Sequence, residues 1–351
     1  MLRFYTLFPP TENVHLIKDV GMYPECLSKY EGVDAHLVCY KSGEYPYLGS
    51  EVKNVKLDFM NRRFGDIVDG VLFIKDNASK IDVLNIYHLN LSSFFYAITF
   101  KKYKNKSAKT YLKLDADMRE IARLSGNGIV QWIKRKTITV SDVVTVESRL
   151  LQTKLNEIIG ENKIQYLPDG IDIDEAKDMS VRAEEKENII LTVGRLGTKQ
   201  KNTQLLVEEF IKRTNGEYRL WLVGSMTDEF RQWLNEKINE LKIQNSIAAE
   251  LIEYKGVITD RLELDDIYKK AKILALPSKW ESFGIVLVEA MWQGCYLMTT
   301  DEVPSTPDLM RDIEKLEIGS QEYIDNARIR VREEFSYKVI SHKLMEMLGN
   351  K

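Results

Sequence analysis

Pro277-Ser278-Lys279-Trp280-Glu281-Ser282-Phe283-Gly284-Ile285-Val286-Leu287-Val288-Glu289-Ala290-Met291 sets two carboxylates eight residues apart, on either side of a Phe-Gly turn. From Ile285 to Trp292 the chain is apolar apart from Glu289. Eight helix-compatible residues with one acid among them predict a buried helix. A buried carboxylate is costly unless it is hydrogen-bonded or paired, so Glu289 needs a partner that donates. Glu281 precedes that helix, near its positive N-terminal end, where anions and phosphates are favoured.

On either side of this stretch, short apolar runs alternate with helical patterns, which predicts parallel α/β layers. In the first half the reading places strands near 2–8, 35–41, 70–75, 82–87, 110–114, 137–140 and 143–146, and helices near 15–30, 91–102 and 147–159. Pro168-Asp169-Gly170 is a turn signal, after which the cycle restarts. Strands are predicted over Asn188–Val193, Arg219–Val223, 251–255, Ile273–Leu276 and 295–299. Helices are predicted over Thr203–Arg213, 227–241, 262–271, 284–293 and 320–349.

A chain of 351 residues, 44% hydrophobic and 29% charged, suits two ordinary domains with real cores. The formal net charge of -3 excludes little. Cys26, Cys39 and Cys295 are an odd, scattered set without a Cys-x-x-Cys, which argues against a disulfide framework or a zinc site and fits a reducing cytosol. Met1–Pro10 lack the apolar core of a signal peptide, and no run approaches a membrane span.

A second constellation lies upstream. Leu191-Thr192-Val193-Gly194-Arg195-Leu196 ends a predicted strand, and Lys199-Gln200-Lys201-Asn202 precedes a helix that starts near Thr203. A strand end, a glycine, cations and a helix N-terminus together make a phosphate site. Both constellations resemble the signature of the retaining GT-B glycosyltransferases, specifically glycosyltransferase family 4, the group 1 transferases. That pattern has Gly-Arg-Leu, then Lys-Asn before a helix, and later Pro-Ser, Glu, Phe-Gly and a second Glu. The resemblance covers about 137–349. It implies two facing Rossmann-like domains with a donor/acceptor cleft between them. The acceptor domain would span 1–167, with a C-terminal helix of about 335–351 crossing back onto it, and the donor domain 168–334, hinged at Pro168-Asp169-Gly170. Asp169 stands where Asn is usual.

The resemblance further implies a retaining, metal-independent transfer of a hexose from a nucleotide-diphosphate sugar, a UDP-sugar by expectation, with no cofactor. Arg195 and Lys201 match the pair that neutralises the departing diphosphate, Glu281 faces the donor sugar, and the carboxylate of Glu289 accepts from the ribose hydroxyls. Gly224 and Ser225 match a strand end under the nucleotide, and Ile258 a loop at the base. Phe283, Gly284 and Ile285 would present backbone amides to the sugar or diphosphate. After Thr299-Thr300-Asp301 the usual Gly-Gly and Glu are replaced by Glu302-Val303-Pro304.

On the acceptor side, the loop after the first strand keeps its position but not its glycines, with Asn13, His15 and Lys18 as candidates to bind acceptor or sugar. His88 follows a strand, where a sugar contact and a structural histidine are equal readings. Asp115 falls where relatives carry a histidine. Asp115-Ala116-Asp117 also mimics a metal-binding Asp-x-Asp, but Arg195 and Lys201 already supply a metal's electrostatic work, so no metal is expected. Residues 97–136 hold eleven Lys or Arg against three Asp or Glu, a local net of +8, beside the aromatic run Phe94–Phe100. Residues 94–109 are therefore expected to meet an anionic membrane at its inner face. Taken with the resemblance, this implies a glycan or lipid-linked acceptor in surface polysaccharide or glycolipid synthesis. Nucleic acid is not an expected partner. The alternatives are a catalytically degenerate scaffold for another transferase, or a sugar phosphorylase of related fold.

Overall fold

The computed structural model describes residues 1–174 and 180–349, which fall into two compact units, Met1–Asp172 with Ser336–Lys351, and Ile173–Phe335. The first unit runs β1 (Arg3–Leu7), α1 (Asn13–Leu16), α2 (Asp19–Glu31), β2 (Asp34–Tyr40), β3 (Val55–Met60), α3 (Asp66–Asn77), β4 (Val83–Tyr87), α4 (Leu91–Tyr103) and β5 (Lys109–Lys113). It continues through α5 (Arg119–Ser125), α6 (Ile129–Val140), β6 (Val143–Val146), α7 (Arg149–Ile159) and β7 (Ile164–Tyr166). The seven strands form one parallel sheet in the order β3-β2-β1-β4-β5-β6-β7.

Both faces of the sheet's centre are covered, so inner strands such as β4 and β6 are buried along their whole length. Successive residues of β5 show it: Tyr111 packs with Phe4, Tyr23 and Leu27, whereas Leu112 packs with Ile74, Phe100 and Val144.

The second unit runs β8 (Glu187–Val193), α8 (Thr203–Arg213), β9 (Arg219–Val223), α9 (Asp228–Ile243), α10 (Ala248–Leu251), β10 (Ile252–Gly256), α11 (Arg261–Lys270) and β11 (Ala271–Leu276). It closes with α12 (Ile285–Trp292), β12 (Tyr296–Thr299), α13 (Thr306–Met310) and α14 (Gln321–Glu334). Its five strands are parallel in the order β10-β9-β8-β11-β12. The last helix, α15 (Tyr337–Met347), belongs to the first unit, where it packs on α2 with Tyr23 and Tyr337 edge to face at 5.4 Å. Of the helix expected over about 335–351, residues 350 and 351 lie outside the described residues.

Two predicted strands are helical. Residues 70–75 lie within α3, where Asp69, Gly70 and Ile74 face inward at helical spacing. The start of α3 is held by the Asp69 carboxylate, which accepts from the amides of Arg63 and Gly65 at 2.9 and 3.1 Å and from the Tyr40 hydroxyl at 2.9 Å. Residues 137–140 form the last turn of α6, where Thr137 Oγ1 donates to the Ile133 carbonyl at 2.9 Å. Two residues cannot join neighbouring parallel strands, so a strand at 137–140 could not have fed β6 at Val143. The edge strand β3 and the helix α5 had no counterpart in the sequence reading.

Candidate active site

In open parallel sheets, ligands bind beyond the carboxyl ends of the strands where the strand order reverses. In the second unit that reversal lies between β8 and β11. The loops leaving these two strands are 194–202 and 277–284, which hold Arg195, Lys201 and Glu281.

The two loops are tied together through side chains. Lys201 Nζ donates to Glu281 Oε1 at 2.5 Å, and Ser278 Oγ donates to the same oxygen at 2.7 Å. Gln200 Nε2 reaches Glu281 Oε2 at 3.4 Å and the Trp280 carbonyl at 3.1 Å. Arg195 Nη2 donates to Gln200 Oε1 at 3.0 Å, and the Lys279 amide to the Gln200 carbonyl at 2.8 Å. Glu281 is buried, and the Lys201 side chain nearly so. At such low exposure a charge-assisted pair is far less screened than on the surface. Asn202, next in sequence, takes the left-handed conformation (φ 48°) that turns the chain into α8.

Two glycines shape the floor. Gly224 ends β9 at φ 122°, and a Cβ there would lie 2.0 Å from the Gly194 carbonyl oxygen at the end of β8. Its amide donates to the Gly256 carbonyl at 2.8 Å, so the ends of the three neighbouring strands meet backbone to backbone. The Ser225 carbonyl accepts from Leu196 at 2.7 Å, and Ile258 is half-buried in the loop after β10. Gly224→Ala should cost about 1–3 kcal/mol of unfolding free energy in the denaturant midpoint, since both the torsion and the contact oppose a side chain. An unchanged midpoint would mean that the strand ends can part.

Gly284 opens α12 at φ 86°, and with Ile285 it starts a helix whose first amides have no partner within it. Phe283 is fully buried, and its carbonyl accepts from Ser305 Oγ at 2.5 Å. Glu289, on α12, is partly buried, its side chain 16% exposed. Its Oε1 accepts from Arg261 Nη1 at 2.7 Å and its Oε2 from the Tyr268 hydroxyl at 3.2 Å. Burial, and then the Glu289 carboxylate, push the Tyr268 phenol well above its ordinary value, which keeps it a donor. Protein donors thus already meet the need that the sequence assigned to Glu289, and each carboxylate oxygen retains a lone pair for a further donor. Arg261 and Tyr268, both on α11, carry no local sequence signal.

In the first unit the order reverses between β1 and β4. Phe8, after β1, packs edge to face with His15 at 5.5 Å and with His88 at 6.1 Å. His15 Nδ1 accepts from the Glu12 amide at 2.9 Å. Burial, then the nearby Lys18 charge, lowers its pKa, so its imidazole is neutral at pH 7. Asn13 Oδ1 accepts from the Tyr47 amide at 3.0 Å, and Lys18 is exposed at the start of α2.

His88 (φ 63°) and Asp115 (φ 44°) end the adjacent strands β4 and β5, with His88 Nδ1 3.6 Å from Asp115 Oδ2. Left-handed backbone at a non-glycine residue is strained and concentrates at functional sites. Among the described residues five non-glycines adopt it, and His88, Asp115 and Asn202 are three of them. Asp117 instead accepts from its own neighbour, Arg119 Nε, at 2.9 Å. Among the described residues, no three His, Cys, Asp or Glu side chains come together as a metal-ligating group.

Directly beneath Asp115 lies a cluster that the sequence did not reveal. Lys113 is fully buried, with its Nζ 2.8 Å from Glu147 Oε1, 3.0 Å from Asp169 Oδ1 and 3.3 Å from Asp19 Oδ2. Glu147 also accepts from the amides of Asp115 and Ala116 at 3.2 and 3.3 Å, so the cluster sets the course of the loop after β5. Burial would lower the Lys113 pKa, but Asp169, Glu147 and Asp19 outweigh it and hold the ammonium well above its ordinary value. Burial in turn raises Glu147 and Asp169.

Comparison with known proteins agrees with this architecture. Residues 174–326 match the family described as Glycosyl transferases group 1, a match that spans most of the second unit. The mannosylfructose-phosphate synthase of Agrobacterium fabrum is 31% identical over 120 residues, 32% of this chain and 25% of that protein. An uncharacterized glycosyltransferase of Methanocaldococcus jannaschii is 28% identical over 200 residues, 48% of each chain. The chain thus matches between a quarter and about half the length of these curated relatives.

Solved structures align over nearly the whole chain. The sucrose-phosphate synthase of Thermosynechococcus elongatus gives a TM-score of 0.70 at 15% identity, covering 99% of this chain and 98% of that one. Anabaena HepE in complex with UDP-glucose gives 0.66 at 13% identity, covering 99% and 100%. WaaG, a glycosyltransferase involved in lipopolysaccharide biosynthesis, gives 0.62 at 13% identity, covering both chains in full. At these identities the likeness speaks for the fold, which is GT-B with two Rossmann-like domains.

Proposed function

We propose that this chain is a metal-independent, retaining glycosyltransferase that moves a hexose from a nucleotide-diphosphate sugar, with UDP as the nucleotide. The observation that carries the reading is the Lys201–Glu281 pair, held with Arg195, Gln200 and Ser278 at the strand-order reversal of the group 1 domain. Lys201 and Arg195 stabilise the negative charge that grows on the diphosphate as the sugar–phosphate bond breaks. Glu281, fixed by three donors, orients the sugar, and Glu289, fixed by Arg261 and Tyr268, accepts from the ribose hydroxyls. The amides of Gly284 and Ile285 face the diphosphate from the start of α12. Gly224, Ser225 and Ile258 bound the nucleotide, and Asn13, His15, Lys18, His88 and Asp115 belong to the acceptor side.

The acceptor is a glycan or a lipid-linked sugar, in surface polysaccharide or glycolipid synthesis on the cytoplasmic face of the cell membrane. HepE bound to UDP-glucose and the lipopolysaccharide transferase WaaG, which share the fold, support the donor and acceptor classes in this reading. The test is release of nucleotide diphosphate from UDP-, GDP- and ADP-sugars in EDTA, with and without a membrane lipid extract. Release from a UDP-sugar only, dependent on the extract, is the expected result. Tight UDP binding without release under any condition would instead fit a degenerate scaffold.

A further inference from the structure

An open sheet ends in two strands whose outer backbone groups lack a partner, and natural proteins blunt such edges by keeping them short, bulged or charged. Of the four edges in the two sheets, three are blunted. β7 has three residues and β12 four, while β10 breaks register with β9 between Tyr254 and Gly256. β3 is different. It pairs with β2 without a break over all six of its residues, from Val55 opposite Ala35 to Met60 opposite Tyr40, and it holds no proline or glycine. Among the described residues, no strand pairs with its outer edge.

The charges of β3 do not guard that edge. Lys56 Nζ donates to Asp34 Oδ1 at 2.6 Å, back toward β2. Asp58 is likewise turned inward, its Oδ2 lying 2.8 Å from His36 Nδ1 on β2. Both side chains stay open to a further partner, Lys56 at 63% and Asp58 at 38% exposure. Alternation along the strand puts Lys56, Asp58 and Met60 on one face and Val55, Leu57 and Phe59 on the other. On that second face the Phe59 ring is 49% exposed, 5.9 Å from Tyr45.

An edge of this kind is completed by a second copy of itself. A two-fold axis perpendicular to the sheet sets two β3 strands antiparallel, and one residue then faces its own copy at the axis. With Lys56 at the axis two ammonium groups meet, and with Asp58 there two carboxylates meet; like charges directly opposite are destabilising. With Leu57 at the axis the strand is self-complementary. Lys56 of each copy then lies opposite Asp58 of the other, and Phe59 of each opposite Val55 of the other.

We propose that β3 is a self-association edge, through which two copies of this chain join their seven-stranded sheets antiparallel in the register centred on Leu57. The two Lys56–Asp58 pairs select that register, and the Phe59 ring gains the cover that its own chain leaves incomplete. Because the joined strands run in opposite directions, the carboxyl ends of the two sheets, where ligands bind, point opposite ways. The join therefore runs along the sides of the sheets rather than over either of those ends.

The test is sedimentation velocity on the whole chain. It needs no donor and no turnover, so its outcome is independent of the proposed transfer. Wild type should sediment as a dimer at about 50 µM, with a Kd on the order of micromolar. Lys56→Glu sets acids opposite acids, and Asp58→Lys sets ammonium groups opposite ammonium groups, so each variant alone should weaken the dimer about tenfold or more. An equimolar mixture of the two variants restores both opposite-charge pairs and should sediment as a heterodimer. Mixing cannot rescue a damaged fold, so this recovery reports the pairing itself. Phe59→Ser, at an exposed position, should weaken the dimer about tenfold, and it decides alone if either charge variant loses its native circular dichroism. The proposal is overturned by a wild-type monomer at about 200 µM, by a dimer that Phe59→Ser or either charge variant leaves unaltered, or by natively folded charge variants that stay monomeric when mixed.

Discussion

Lys201→Ala should lower kcat/KM for sugar transfer about 10²–10³-fold, or roughly 2.7–4 kcal/mol of transition-state stabilisation. In the proposed transfer the departing diphosphate gains negative charge as the sugar–phosphate bond breaks, and in the proposed metal-independent reading Lys201 and Arg195 balance it. Lys201 is the stronger contributor because its side chain is only 17% exposed and its ammonium is fixed by Glu281, whereas Arg195 is held only through the Gln200 amide. The loss should appear mainly in kcat, since the charge develops in the transition state and is smaller in the bound donor. Wild-type kcat in this variant, with a native melting curve, would remove Lys201 from the proposed chemistry.

The pairing makes a second demand. Lys201 shares the Glu281 carboxylate with Ser278 and Gln200, so removal of either member of the pair disturbs the other. Groups that act as a unit are strongly non-additive. Glu281→Gln alone should therefore cost a similar factor, and Lys201→Ala with Glu281→Gln should lie within about tenfold of the worse single variant. Fully multiplicative losses would mean that the two residues act independently and that their contact is incidental.

The second unit was legible because its inner strands β8, β9 and β11 are largely covered on both faces and end at a glycine or a turn. That puts a clean apolar run between punctuation marks, as in Asn188–Gly194, Arg219–Gly224 and Ile273–Pro277. The motif residues were legible because Arg195, Lys201, Glu281 and Glu289 lie within short, fixed spacings. Their partners were not. Arg261 meets Glu289 from 28 residues away, and Gln200 meets Glu281 from 81, distances over which periodicity carries no information. In the first unit, Gly70–Lys75 and Thr137–Val140 have the β-branched and aromatic content of strands, yet packing against α4 makes both helical. Intrinsic preference is the smaller term there, and tertiary burial decides. Lys113 looked like one more lysine in a basic segment, because burial is a property of the fold and not of the residue.

That lysine gives the largest expected effect on stability. Lys113→Met should cost about 3–5 kcal/mol, because it leaves Glu147, Asp169 and Asp19 gathered around an apolar side chain with no cation. Three carboxylates cannot all remain ionised in that space, so the variant must take up protons or admit water. Adding Glu147→Gln should recover about 1–3 kcal/mol, since it removes one buried charge while its single oxygen still accepts from one of the Asp115 and Ala116 amides, which Glu147 meets with separate oxygens. Equilibrium urea unfolding of wild type and both variants measures this, and a Lys113→Met variant as stable as wild type would show that the cluster contributes nothing net. The pH dependence follows from the same charges. Burial holds the folded-state values of Glu147 and Asp169 above the ordinary carboxyl range, so the folded chain binds more protons there than the unfolded chain. Their contribution is complete below about pH 4 and is lost as pH rises through the folded values, which gives unfolding free energy a downward slope with pH. Asp169→Asn removes the carboxyl at the position where Asn is usual in the resembling family, and should flatten that slope. A slope unchanged by Asp169→Asn would place the excess buried acid on Glu147 instead.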